Sequence, residues 1–372
     1  MKFIDMFAGI GGFHLGMEQA GHTCVGWIEW DKFARQSYQA IYDVEGIWNA
    51  SDIRTVRASE LPRSDCWCFG FPCQDISVAG KQKGFTAGKR SSLFFTVTGL
   101  IRDLKEGDRP SYLLIENVKN LLSINRGFDF LKLQIELDEI GYDVEWDVID
   151  SAEVVPQHRE RIFIVGHLRG RRTRKVFPIV QGDREANRRA DATNTLTTRY
   201  GEAQGSGSYV AESEPPKVKQ VANLMNTECF GGNPQPGRVY DSSGISPTLS
   251  TMQGGGQEPK ILVHEATKKG YDVAKLGDSI NFSQPNSKTR RGRVGHGVAN
   301  TLTTSMEQAT LTDNLKIRKL TPLECWRLQG FPDWAFERAK QAGLSDSQLY
   351  KQAGNSVTVP VIKAIADRME IL

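Results

Sequence analysis

Short, nearly continuous apolar runs recur through the first 169 residues, separated by polar or glycine-containing stretches. KFIDMF, TCVGWIE, DCWCFG, YLLIEN and RIFIVG stand out. Runs that stay apolar at successive positions suit strands covered on both faces, the habit of parallel sheets. Between the first two, Phe13 to Ala20 predicts a helix, and Gly21 supplies a left-handed stop after it. The repetition predicts a doubly wound α/β sheet. From 170 to 315 the pattern changes: Gly, Ser, Thr, Asn and Pro become frequent and helical periods fade. Three segments there resemble one another, NTLTTRYG at 194–201, SPTLSTMQGG at 246–255 and NTLTTSMEQ at 300–308. Their irregular spacing argues against a solenoid and predicts a smaller, loop-rich domain of strand-and-turn elements. Regular structure returns at 316. LTPLECWRLQG opens with a Thr cap and then Pro, and PVIKAIADRMEIL predicts a final helix with Pro360 in its first turn. The chain is therefore expected to leave its α/β unit after 169 and to complete it over 316–372.

Composition adds bounds. The 372 residues, 39% of them hydrophobic, allow one large or two moderate domains. The formal charge of +3 says little, but its distribution is uneven: seven basic residues against one acidic from Arg159 to Lys175, and four more from Lys288 to Arg293. Such clusters suit polyanions, and equally a solvated face. Of the six cysteines only Cys66 and Cys68 are close, with no second pair to complete a metal site. No metal is expected. MKFIDMFAG lacks a secretory pattern and no apolar run reaches transmembrane length, so a reducing, cytoplasmic setting without membrane contact is expected.

The chemistry begins at DMFAGIGG after the first strand. Gly9, Gly11 and Gly12 permit tight turning and close ligand approach, although such a turn is often purely structural. Glu29 ends the next predicted strand about 20 residues on, where a carboxylate accepts hydrogen bonds from ribose hydroxyls. Asp52 and Ile53, after a third strand, pair an acid with an apolar neighbour that suits an adenine ring; a helix cap is the plainer reading of Asp52. An adenosine-containing cofactor follows, with NAD and S-adenosylmethionine both open; the missing third glycine of the dinucleotide fingerprint leans against NAD. No GKS or GKT follows, which speaks against nucleoside triphosphate hydrolysis.

In CFGFPCQDIS, Pro72 and Cys73 directly follow an apolar run that reaches the carboxyl edge of the sheet, where open α/β folds bind ligands. A lone cysteine is ordinarily packing material. This one precedes a long polar loop containing Gly80, Gly84 and Gly88, suited to closing over a substrate. Glu116 ends the YLLIEN strand at the same edge. Arg159 and Arg161, spaced by two, share one face of a strand. A thiol, an acid and two guanidiniums together suit nucleophilic attack on an electron-poor pyrimidine.

In order, DMFAGIGG, IEWD, SDI, GFPCQDIS, ENV, QHRERIFIVG, LTPLECWRLQGFP and GNSV make the chain resemble the DNA cytosine-5 methyltransferases of bacterial and phage restriction–modification type. The motifs cover nearly all of the chain outside 170–315. The resemblance implies a Rossmann-like S-adenosylmethionine-dependent domain with a mostly parallel sheet, and a target-recognition domain over 170–315. It implies cofactor contacts from Phe7, Gly9, Ile10, Gly11, Glu29, Trp30, Asp52, Ile53, Phe71, Pro72, Asn355, Ser356 and Val357. It implies that Cys73 attacks C6 of a flipped cytosine in double-stranded DNA, aided by Glu116, Arg159 and Arg161. Gln74, Ser77 and Arg90 are expected on the minor-groove side, and Arg199, Arg238 and Gln253 among the base readers. It further implies a monomer on DNA, with any cognate restriction endonuclease acting separately. Rival readings are a transfer-RNA methyltransferase, whose CFT signature is missing, a catalytically inactive DNA-binding homologue, and a nicotinamide oxidoreductase.

Overall fold

Lys2–Met6 form strand β1, and its alternate side chains divide between two cores: Phe3 joins one, Ile4 and Met6 the other. The same division holds for β4 (Cys66–Gly70), β5 (Tyr112–Val118) and β7 (Glu160–Leu168). Trp67, Phe69, Leu113, Ile115, Ile162 and Ile164 face a layer built by α3 (Ser92–Asp103) and α4 (Phe128–Glu139). Cys66, Cys68, Tyr112, Leu114, Phe163 and Val165 face α1 (Gly12–Gln19) and the last helix, α8 (Val359–Ala366). Both faces are buried, which is why these strands read as unbroken apolar runs. The computed structural model describes residues 1–71, 92–179, 220–223, 238–240, 261–284, 287, 289–304, 307–311 and 317–372.

Seven strands form the main sheet in the order β3-β2-β1-β4-β5-β7-β6, where β2 is Thr23–Ile28, β3 Trp48–Ala50 and β6 Tyr142–Asp150. The strands from β3 to β5 are parallel. RIFIVG departs from the expected parallel direction: β7 runs antiparallel to both β5 and β6. An apolar run reports burial on two faces, not direction. Here the connection decides, because the nine residues from 151 to 159 are too few for the crossover that a parallel partner requires.

The closing segment completes this unit. Thr321 and Glu324 form a reciprocal capping box at the start of α5 (Pro322–Leu328), with Pro322 at its first position. α6 (Asp333–Gln341) and α7 (Asp346–Asn355) follow, and α8 packs along α1. The approach is close: a Cβ on Gly16 would lie 2.6 Å from the Ile362 side chain. α8 stops at Ala366, earlier than PVIKAIADRMEIL suggested, and Ile371 instead bridges to Thr173.

By contact density the chain divides into two units, one of Met1–Ala190, Thr301–Met306 and Thr321–Leu372, the other of Asp191–Asn300 and Glu307–Leu320. The described part of the second is all strand and turn. β8 (Gln220–Asn223) pairs with β9 (Arg238–Tyr240), and β10 (Ile261–His264) with β11 (Tyr271–Ala274). A four-stranded antiparallel sheet has the order β13-β12-β14-β15, from Val294–Gly295, Ser279–Asn281, Gln308–Leu311 and Ile317–Lys319. Among the described residues, no helix is long and apolar enough to cross a membrane.

Candidate active site

The turn after β1 is built on left-handed backbone: Phe7 has φ 56°, Gly9 φ 57° and Gly11 φ 82°. Glycine adopts this region freely, but Phe7 does so only under strain, a mark of backbone held for a purpose. Ala8 N donates to Ile28 O at 2.9 Å and Gly11 N to Ala8 O at 2.7 Å. Glu29 holds the turn from the neighbouring strand. One carboxylate oxygen accepts from Gly9 N and the other from Asp31 N, each at 2.8 Å. Burial raises the Glu29 pKa, an effect the accepted N–H bonds partly oppose. Beside it Trp30 is 71% exposed, a large indole face that the protein itself leaves uncovered. Arg35 donates to Glu29 O and Ala50 O, fastening the ends of β2 and β3 together.

Asp52 follows β3 and caps a short 3-10 turn by accepting from Arg54 N. The Arg54 guanidinium also grips both of its oxygens, which holds the carboxyl below the usual range. Ile53 is buried next to it. Both the cap and the place beside an apolar residue are therefore present.

At the carboxyl end of β5, Glu116 pairs with Arg161 Nε at 3.0 Å, both side chains largely buried. Gly70 leaves room for this acid, since a Cβ there would stand 3.0 Å from Glu116 Oε2. Asn117 donates to Phe71 O at 3.3 Å, tying the end of β4 to β5. Arg159 is 3% exposed and donates to three carbonyls, Leu302 at 3.3 Å, Gly354 at 3.2 Å and Ser356 at 2.8 Å. Its Nε is buried without a partner. Burial, and then the neighbouring Arg161, pull its pKa down to about 9, so it stays charged at neutral pH.

One cavity of about 700 Å³ joins these groups. Phe7, Gly9, Ile10, Glu29, Trp30, Asp52, Ile53, Phe71, Glu116, Arg159, Arg161 and Asn355 all line it. Gly11, Ser356 and Val357 stand behind the wall. Gly12 packs against the latter two so closely that a Cβ would come within 2.7 Å of each side chain. The volume suits a nucleoside-sized ligand. A strained turn, an uncovered indole and two buried unpaired polar atoms, Arg159 Nε and Gln348 Oε1, fit an adenosyl cofactor bearing polar groups at both ends.

Sequence reading passed over several wall residues. Gln348, Lys351 and Gln352 line the cavity from α7, on the same face as the expected Asn355. Their spacing of three, four and seven marks one helical face, a signal present just before GNSV. Leu93 and Arg54 carry no such signal. Pro72, Cys73, Gln74, Ser77, Arg90, Arg199 and Gln253 lie outside the described residues, and Arg238 opens β9. Cys24, Cys66, Cys68 and Cys325 are all buried and free. Burial pushes Cys24 and Cys325 up to about 12 and Cys68 well above its ordinary value, so these three are poor nucleophiles. The 3.7 Å contact of Cys66 with Cys68 belongs to the core.

The linear basic run from Arg159 to Lys175 is not one surface. Tyr112, at the start of β5, pairs with His167, so the residues after β7 emerge at the sheet edge opposite Glu116. There Arg169 pairs with Asp138 and Asp143, and Arg174 with Glu370.

A family model described as C-5 cytosine-specific DNA methylase matches residues 1–370. The orphan methyltransferase M.SPRI of Bacillus phage SPR is 30% identical over 433 residues, spanning 98% of this chain and 96% of its own. The Type II methyltransferase M.SsoII of Shigella sonnei is 32% identical, over 99% of this chain and 79% of its own. The fold is that of S. pombe Dnmt2 methyltransferase, at 17% identity and TM-score 0.52, covering 98% of this chain and 96% of that one.

Proposed function

The chain belongs to the C-5 cytosine-specific DNA methylase family and methylates C5 of a flipped DNA cytosine with S-adenosylmethionine; from that premise, we propose which of its residues perform each task. The carrying observation is a single cavity that holds the Glu29 end and the Glu116–Arg161 pair together.

In this reading Phe7, Gly9, Ile10, Glu29, Trp30, Asp52, Ile53, Phe71 and Asn355 hold the cofactor, with Gly11, Ser356 and Val357 backing them. Trp30 covers the adenine, Glu29 accepts from the ribose hydroxyls, and Asp52 accepts from the exocyclic amine. S-adenosylmethionine supplies an electrophilic methyl group on a sulfonium. Cys73 is the nucleophile. It stands two peptide units beyond Phe71, so covalent geometry alone keeps its Cα within about 7.6 Å of that of a cavity-lining residue. The Cys73 thiolate bonds to C6, and the C5–C6 π electrons move onto C5, which becomes nucleophilic. Glu116, steered by Arg161, holds N3 and the exocyclic amine and supplies the proton that offsets the developing negative charge. Arg159 and Arg161, which both line the cavity, steady the base carbonyl and neighbouring anionic groups. After methylation a solvent-derived base takes the C5 proton, the C–H electrons re-form the C5–C6 double bond, the C6–S bond breaks to return the Cys73 thiolate, and the N3 proton goes back to Glu116.

The second unit is read as the target-recognition domain. It presents side chains to the major groove, where the four base pairs differ in donor and acceptor pattern. Arg199, Arg238 and Gln253 are its candidate readers, and Gln74, Ser77 and Arg90 approach from the minor groove. We infer action as a monomer on double-stranded DNA, with any restriction endonuclease acting separately. The test is Cys73→Ser. It is expected to bind S-adenosylmethionine like the wild type and to transfer no tritiated methyl to DNA. Substantial turnover would remove Cys73 from the mechanism. Bisulfite sequencing of DNA from cells expressing the wild type then reads out the target sequence.

A further inference from the structure

Beneath the strained turn lies a ring system that the reaction does not use. Tyr42, directly after α2 (Lys32–Ile41), is 6% exposed. Its hydroxyl sits 2.7 Å from Gly11 O and 3.2 Å from Ile10 O, so one hydrogen is shared between two successive carbonyls. The ring presses on the same turn: a Cβ on Gly11 would lie 2.3 Å from it. The ring is itself immobilised. It stacks on the His14 imidazole at 3.9 Å between centroids and leans on Tyr38 at 4.8 Å. His14 in turn hydrogen-bonds to the Tyr38 hydroxyl at 2.5 Å and to Glu18 at 2.9 Å. Burial, then Asp5, keep the Tyr42 phenol well above its ordinary pKa, so it remains a donor.

We propose that Tyr42 is a positioning residue for cofactor binding. Its hydroxyl fixes the peptide planes at Ile10 and Gly11, and through them the turn whose other side, at Phe7, Gly9 and Ile10, lines the cavity. A peptide unit is planar, so holding a carbonyl from below also fixes the following N–H. Without the hydroxyl, the two glycines would let the turn sample other conformations that the cofactor must then reverse. The inference rests on the reading of this cavity as the S-adenosylmethionine site.

Tyr42→Phe keeps the stacked ring and removes only the hydroxyl. The full-length variant is expected to bind S-adenosylmethionine about tenfold more weakly by titration calorimetry, the scale of one lost hydrogen bond. The KM for the cofactor should rise in step, while kcat at saturating cofactor changes less than about twofold. Tyr38→Phe is the control. It removes a hydroxyl from the same cluster without touching the turn, and its cofactor affinity should match the wild type. Unchanged binding by Tyr42→Phe overturns the proposal, and so does equal weakening by Tyr38→Phe, which would mean that general loosening of the cluster is responsible. Wild-type protein that fails to bind S-adenosylmethionine would overturn the reading of the cavity itself, and this proposal with it.

Discussion

Arginines cluster at both ends of β7, Arg159 just before it, Arg161 within it and Arg169 just after it, and the two ends could hardly differ more. At the start, Arg159 is enclosed and spends its donors on three backbone carbonyls, while Arg161 is paired with a buried acid. Just past the finish, Arg169 is an exposed side chain between two exposed aspartates. The strand spans nine residues, so its ends are separated by about 27 Å. One linear run of positive charge thus serves two unrelated neighbourhoods. The residue type sets the number of donors; burial sets what losing them costs.

That contrast can be tested by removing one arginine at a time. The largest effect is expected from Arg159→Met, which retains the apolar stem and leaves the carbonyls of Leu302, Gly354 and Ser356 without their shared donor. Unfolding in denaturant should show a loss of about 3 kcal/mol, since buried acceptors then go unsatisfied. Methyl transfer should fall below detection as the wall at 354–356 loosens. If this variant is as benign as a surface substitution, enclosure is not what separates the two ends.

Arg161→Ala should do less to the fold and more specific damage to the reaction. It strips Glu116 of its partner, and single-turnover methyl transfer should drop about 100-fold, the scale of a misplaced acid–base group. S-adenosylmethionine affinity, read separately, should stay within about threefold of the wild type. A parallel loss of cofactor binding would instead assign Arg161 to the cofactor end of the cavity. The smallest effect belongs to Arg169→Ala. Exposed pairs of this kind contribute little, so methyl transfer should be unchanged and Tm should move by no more than about 2 °C. A larger change would mean that the far edge of the sheet matters to function.

Much of the catalytic unit is legible from residue order because its signals are local. The Thr321–Glu324 capping box, Gly21 after α1 and the glycine turn after β1 are each decided within a few residues. The position of Glu29 at the end of β2 follows from strand length alone. Less regular elements escape this reading. β3 is only three residues long, and β6, like β3 an edge strand of the sheet, mixes Asp and Glu with apolar residues. The direction of β7 is invisible, since a strand buried on both faces has the same composition either way up. Lys351 and Gln348 declare a helical face without declaring what it will face.

By itself, then, the order of residues determined the alternating burial of the strands, the caps and turns between them, and the identity of the groups available for chemistry. These depend on side-chain type and on contacts between near neighbours. Only the tertiary structure decided that Arg161 meets Glu116 while Arg169 does not, that Arg159 reaches 302, 354 and 356 at once, and that Tyr42 lies under the glycine turn. Such meetings join residues tens to hundreds of positions apart. They arise from strand direction and from the return of α8 onto α1, geometric outcomes of burying two faces of one sheet that no local pattern encodes.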